Sequence, residues 1–251
     1  MAMPLYDSQP TRRAPWVTYL IVAANVVVFL FTPLANFAVW YGDPRSEARA
    51  CSAERFVREH GAIPKELTTG RQQPVPAETV RDCGPATYQK TPWISAFTSM
   101  FLHGGALHLI GNIIVLFVVG AGLEDRLGRL RYLLAYLLFG IVAVYGYAYV
   151  SPESQTPLVG ASGAIAGVLG AYLVLNPRGR IVSLVPPILV ARLPVWVVLG
   201  TWFGLQWVSL DDKESNVAYV AHIAGFIAGA VFALAARRAG PTRRPVALYR
   251  G

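Results

Sequence analysis

A serine, three histidines and an asparagine stand out in this chain because of the residues around them. "GASGAIAG" sets the hydroxyl of Ser162 among glycines and alanines, "HGGALHLIGN" carries His103, His108 and Asn112, and "AHIAG" carries His222. All lie in or beside apolar runs, where a polar group costs free energy unless it finds a partner. A serine hydroxyl becomes a nucleophile when a neighbouring base takes its proton, and imidazole is the usual base. Attack on a carbonyl builds negative charge on oxygen, which donors placed beforehand can meet. Ser162 and His222 fit the first two roles, and Asn112, His108 and the backbone N–H of Ser162 fit the third.

The elements that must position these groups are read from composition. Hydrophobic residues make up 54% of the 251 positions and charged residues 14%, against about 25% charged in a soluble domain. Crossing a hydrocarbon core of about 30 Å takes about 20 apolar residues. Such runs are read at 16–40, 105–123, 132–150, 160–176, 195–210 and 217–236, which predicts an all-α, six-span membrane bundle. The first run has aromatics at both ends and no small-residue cleavage site after it, so it reads as a span and not as a cleaved leader.

Basic residues set the orientation. Arg12 and Arg13 precede span one, Arg126, Arg129 and Arg131 follow span two, Arg178, Arg180 and Arg192 follow span four, and five arginines follow span six. Both termini are therefore expected in the cytoplasm, with 1–15 and 239–251 as disordered tails around a membrane domain at 16–238. Residues 41–92 form a long outer loop whose eight basic residues, nearly balanced by acidic ones, run against the charge rule. The apolar "IVSLVPPILV" at 181–190 is too short to cross and is broken by Pro186 and Pro187, so it reads as an interfacial or re-entrant segment. The net charge of +8 reads as topology and contact with anionic lipid, with no nucleic-acid surface implied. Cys51 and Cys83 both fall in the outer loop, either bridged or as two free thiols. No cofactor or metal is expected.

Helical spacing brings the polar groups together. His108 and Asn112 are four apart and share a face. Ser162, Gly163, Ala166, Gly167 and Gly170 form one stripe of small residues, and His222, Gly225 and Gly229 form another. Packing spans four and six along those stripes would join Ser162 to His222, and spans two, four and six all run in one direction. Taken singly, each motif also fits tight helix packing without chemistry, and each histidine fits a cap or interhelical glue. The joint placement at one depth favours chemistry. No carboxylate lies nearby to orient His222, so a two-residue Ser-His catalyst is expected, its imidazole held by packing. Gln206, near the end of span five, is a further intramembrane polar group with no assigned partner.

In order along the chain, "HGGALHLIGN", "EDRLG", "GASGAIAG" and "AHIAG" resemble the rhomboid intramembrane serine proteases over roughly residues 93 to 236. The resemblance implies a six-span bacterial core in the plasma membrane, with Ser162 as nucleophile, His222 as base, and Asn112, His108 and the Ser162 amide as oxyanion hole. It implies that His103 is structural and organises the loop. Glu124 and Arg126 would bond backbone at the inner end of span two. Substrates would be transmembrane segments of other proteins, cut near the extracytoplasmic face; the alternative from the same resemblance is a non-catalytic binder or chaperone of client helices. Two positions depart from the family pattern. Ala166 stands where an aromatic residue often stacks on the catalytic imidazole, and Trp93-Ile94 stands in place of a Trp-Arg pair.

Overall fold

The computed structural model describes residues 3–8, 11–35, 38–43, 45–185, 189–210 and 217–238. The order of elements is β1 (Met3–Asp7), α1 (Trp16–Leu30), α2 (Glu47–His60), α3 (Pro64–Thr69), α4 (Ala77–Cys83), α5 (Pro92–Thr98), α6 (Ala106–Val115), α7 (Ala121–Leu127), α8 (Arg129–Val150), α9 (Ser162–Leu175), β2 (Arg180–Val185), β3 (Leu189–Pro194), α10 (Val195–Val208) and α11 (Tyr219–Arg238). A π-helical turn, Leu116–Gly120, joins α6 to α7 into one continuous helix. Among the described residues, three helices are long and apolar enough to cross a membrane, Ala106–Leu127, Arg129–Val150 and Tyr219–Arg238, and three shorter apolar helices accompany them.

The centre of the bundle is a seam where backbones meet. A Cβ added to Gly225 would lie 2.1 Å from the carbonyl oxygen of Gly163, and one added to Gly229 would lie 1.8 Å from that of Gly167. Only hydrogen fits at either place. Gly163 and Gly167 themselves turn toward α8, where a Cβ would meet Ala143 and Phe139, whereas Gly170 faces the Phe226 carbonyl. α9 is thus pressed on two sides and is buried along nearly its whole length. Close approach of this kind gains dispersion contact where there is little hydrophobic drive between helices.

At one end of the bundle, Glu124 and Arg126 bind helix termini. The Glu124 carboxylate accepts from the N–H groups of Val17 (3.1 Å) and Thr18 (2.8 Å) and from the Thr18 hydroxyl (2.9 Å). α1 begins after Pro15, which offers no capping side chain, so a carboxylate from another helix satisfies its first-turn donors and meets the positive end of its dipole. Arg126 donates to the carbonyl of Leu175 and to the side-chain oxygen of Asn176, both at 2.8 Å, at the C-terminal end of α9. α1 ends at Leu30, ten residues before the expected limit at Trp40. The Thr32 hydroxyl takes up the Phe29 carbonyl, and Pro33 follows; proline cannot extend the helical ladder.

Two further expectations are overturned at this same end. The chain is not all-α: β1, β2 and β3 make an antiparallel sheet in that order. Residues 181–185 and 189–190, read as too short to cross, are strands of a hairpin, with Ile181 opposite Leu193 and Val182 opposite Arg192. β-branched residues suit a pleated surface; Ile181 joins the core of the bundle, and Val182 is buried as well. Residues 3–7, expected to be part of a disordered tail, form the strand that pairs with β2. Asp7 accepts a hydrogen bond from the Tyr172 hydroxyl, which ties the strand to α9. The tail at 239–251 lies outside the described residues, as does the acidic connection at 211–216.

The 41–92 segment contains helices α2, α3 and α4, with Cys51 joined to Cys83. Arg49 is buried and donates to the carbonyls of Pro33, Ala35, Ala38 and Gly42. Lys90, also buried, pairs with Glu66 at 2.7 Å and donates to the carbonyls of Arg58 and Gly61. Two of the eight basic residues that ran against the charge rule therefore have their donors taken up by carbonyls and a carboxylate of the protein itself.

Candidate active site

The opposite end of α9 carries the polar groups. α6, α9 and α11 run in the same direction, and their first turns meet. Ser162 opens α9 and is half-buried, His222 lies in the first turn of α11 and is buried, and Ser162 Oγ stands 2.8 Å from His222 Nε2. The glycine seam fixes this distance, because Gly163 and Gly225, one and three residues further along, are already in backbone contact.

His108 approaches from α6. A Cβ built at Gly160 would lie 2.8 Å from His108 Cε1, 2.9 Å from its Nε2 and 3.6 Å from Ser162 Oγ. The absent side chain keeps open the gap between imidazole and hydroxyl. Gly160 also has φ +127°, a conformation that other residues rarely adopt. α9 starts after Ala161, which has no side chain to cap it, so its first-turn N–H groups face the same gap with the positive end of the helix dipole.

Asn112 does not reach outward alone. Its Nδ2 stands 2.9 Å from His103 Nε2; the amide nitrogen can only donate, so Nε2 is the acceptor and the second amide hydrogen is left for another oxygen. His103 is fully buried, and its ring sits edge-on to His108 with centroids 5.1 Å apart. Burial, with a smaller contribution from His108, pushes His103 down to about 4, which keeps Nε2 free to accept. The sequence suggested a loop organiser; the structure puts His103 directly behind Asn112.

One partner was missed. His222 Nδ1 stands 2.8 Å from Gln206 Oε1, and the Trp202 ring lies beside the imidazole, centroids 5.8 Å apart. Both residues belong to α10. Packing against α9 had been expected to hold the imidazole, but position 166 is a buried alanine. Gln206 was visible as a polar group in an apolar run; its aim toward His222 depends on the rotation of α10, which spacing alone does not reveal.

The lead into Ser162 is pinned by backbone. Ala62 and Leu158 exchange both hydrogen bonds, at 3.0 and 2.7 Å, and the N–H of Gly160 donates to the Ser99 carbonyl at 2.9 Å. Among the described residues, no three His, Cys, Asp or Glu side chains converge to hold a metal ion. A hydroxyl, a base that can take its proton, and several donors facing one gap are the components of an acyl-transfer centre.

These groups lie within a bundle of apolar helices, and the comparison with known proteins gives that bundle a class. Residues 90–239 match the Rhomboid domain family model, and the chain belongs to the rhomboid family. It is 34% identical over 146 residues to Rhomboid protease GluP of Bacillus subtilis, covering 57% of this chain and 26% of that protein. It is 30% identical over 150 residues to Rhomboid protease AarA of Providencia stuartii, covering 55% and 53%. Over a longer stretch of 228 residues it is 25% identical to RHOMBOID-like protein 7 of Arabidopsis thaliana, covering 85% and 64%. In each of these matches the chain spans less than two thirds of the relative's own length.

Proposed function

We propose that this chain is an intramembrane serine endopeptidase that cleaves transmembrane segments of other membrane proteins through an acyl-enzyme. The observation that carries the reading is the 2.8 Å separation of Ser162 Oγ and His222 Nε2. The relatives named as rhomboid proteases support it.

In this reading the Ser162 proton passes to His222 Nε2 as Oγ adds to the substrate carbonyl. The oxyanion takes hydrogen bonds from the Ser162 N–H, from Asn112 and from His108, and removing one such donor costs about 10²–10³ in rate. His222 then protonates the leaving amine, the C–N bond breaks, and the acyl group stays on Oγ. Water, deprotonated by the same imidazole, releases it. His103 fixes the Asn112 amide; Glu124 and Arg126 hold the far ends of α1 and α9; Gly163, Gly167, Gly225 and Gly229 set the dyad distance.

The topology that goes with this is six spans in the bacterial plasma membrane with both termini cytoplasmic: a short tail at 1–15, the membrane domain at 16–238 with 41–92 outside, and a basic tail at 239–251. Ser162 opens a short helix, so the site lies beneath the extracytoplasmic surface where water can enter, and cleavage falls near that face. A helix that unwinds there exposes a carbonyl to attack.

The experiment is cleavage of a model transmembrane substrate by purified parent, Ser162→Ala and His222→Ala proteins. Both variants should lose turnover, and a fluorophosphonate should label the parent but not Ser162→Ala. Parent-like cleavage by either variant overturns the proposal. Client binding without cleavage by the parent would point to the non-catalytic binder.

A further inference from the structure

A base that receives a proton on Nε2 must carry its own proton on Nδ1, and something has to select that tautomer. We infer that Gln206 is the positioning residue of the Ser162–His222 pair: its side-chain oxygen holds His222 in the Nδ1–H form, the task a carboxylate performs in a three-residue triad. This rests on the reading of Ser162 and His222 as nucleophile and base.

The direction of every hydrogen bond follows from one backbone carbonyl. Gln206 Nε2 lies 3.0 Å from the carbonyl oxygen of Trp202, one turn back on α10. A carbonyl oxygen only accepts, so the amide nitrogen must be the atom facing it, and the amide oxygen is left toward His222. That oxygen, 2.8 Å from Nδ1, also only accepts. Nδ1 therefore donates, Nε2 is left with its lone pair, and the Ser162 hydroxyl 2.8 Å away must be the donor. The chain Ser162–His222–Gln206–Trp202 thus runs in one sense, toward deprotonation of the serine.

Burial makes the selection firm. Gln206 is 6% exposed and His222 9% exposed, so water does not compete for Nδ1, and leaving either group unmatched would cost free energy. Trp202 and Gln206 are four apart on α10, on one face, so the same turn of helix supplies the acceptor and the ring beside the imidazole. A neutral amide orients without adding charge. Proton gain by His222 during acylation is therefore assisted less than it would be by an anion, which gives the role a measurable signature.

The test compares parent, Gln206→Leu and Gln206→Glu proteins, with Ser162→Ala as blank, by kcat and KM on a model transmembrane substrate across pH. Gln206→Leu should lower kcat about 10- to 100-fold with KM within about twofold. Gln206→Glu restores an acceptor and should recover kcat to within about fivefold of the parent. Its negative charge favours the imidazolium, so the acid limb of kcat should move up by about one pH unit. A readout independent of turnover is the 15N spectrum of histidine-labelled protein, where His222 should show protonated Nδ1 in the parent and a tautomer mixture in Gln206→Leu. Parent-like kcat and an unchanged spectrum in Gln206→Leu overturn the inference. So does a Gln206→Glu protein with parent-like thermal unfolding that is as slow as Gln206→Leu. If Gln206→Leu fails to fold, the parent spectrum and the Gln206→Glu pH profile decide. If Ser162→Ala proves as active as the parent, the protease reading falls instead, and the 15N spectrum still reports on Gln206.

Discussion

The 41–92 segment and the α9–α11 seam reach order by opposite means. In the segment, chain is held to chain by a disulfide, a buried Lys90–Glu66 pair and an arginine that gathers four carbonyls. In the seam there is almost nothing but absence of side chain: glycine hydrogen against glycine carbonyl. The first arrangement spends charge and covalent bonds where the apolar core is small. The second removes atoms so that the backbones themselves can touch. The lesson is where tolerance lies: the segment should lose stability in portions, whereas the seam should fail at once.

The largest effect expected is at Gly229 or Gly225. Replacement by valine puts carbon where the carbonyls of Gly167 or Gly163 now sit, and no rotamer relieves a Cβ contact. Size-exclusion chromatography in detergent should show no folded monodisperse protein. Next is Lys90→Met, which strands the Glu66 carboxylate and two carbonyls; breaking a buried pair from one side costs about 3–5 kcal/mol. The double variant Lys90→Met/Glu66→Leu should recover much of the lost thermal stability, because the uncompensated charge is gone. Replacing Cys51 and Cys83 by serine opens a link between residues 32 apart in sequence, worth about 4 kcal/mol in the chain-entropy view. Unfolding should then begin in the segment while the seam persists, as hydrogen exchange would report.

The smallest effect expected is a pH dependence. Burial holds His103 down to about 4, below the ordinary 6.5. The unfolded chain therefore takes up a proton on this residue before the folded protein does. Stability from this group is complete above about pH 6.5 and is lost as pH falls toward 4. His103→Gln keeps an acceptor for Asn112, and its thermal unfolding should depend less on pH in that window.

Much of this was legible in the chain because it is written in spacing. The stripes through Gly163, Gly167, Gly225 and Gly229, and the polar residues at their heads, follow from helical period, and so did the meeting of Ser162 with His222. What stayed hidden depends on rotation or on distant pairing. β1 finds β2 across more than 170 residues, and a strand of five residues has no periodicity strong enough to announce it. The 41–92 segment is mostly polar, so its helices offer no apolar run for spacing to reveal. Gln206 reaches Nδ1 through the turn of α10 about its axis. His103 reaches Asn112 because a bend between them folds nine residues back on themselves.

The paired backbone at Ala62 and Leu158 joins the two regions. A ligand gripping the stapled segment, or a reductant cutting its staple, would tug the strand-like lead four residues upstream of the hydroxyl. Under the proposed function, the rate of cleavage would therefore answer to changes in the 41–92 segment, through a lever that ends beside the Ser162 hydroxyl.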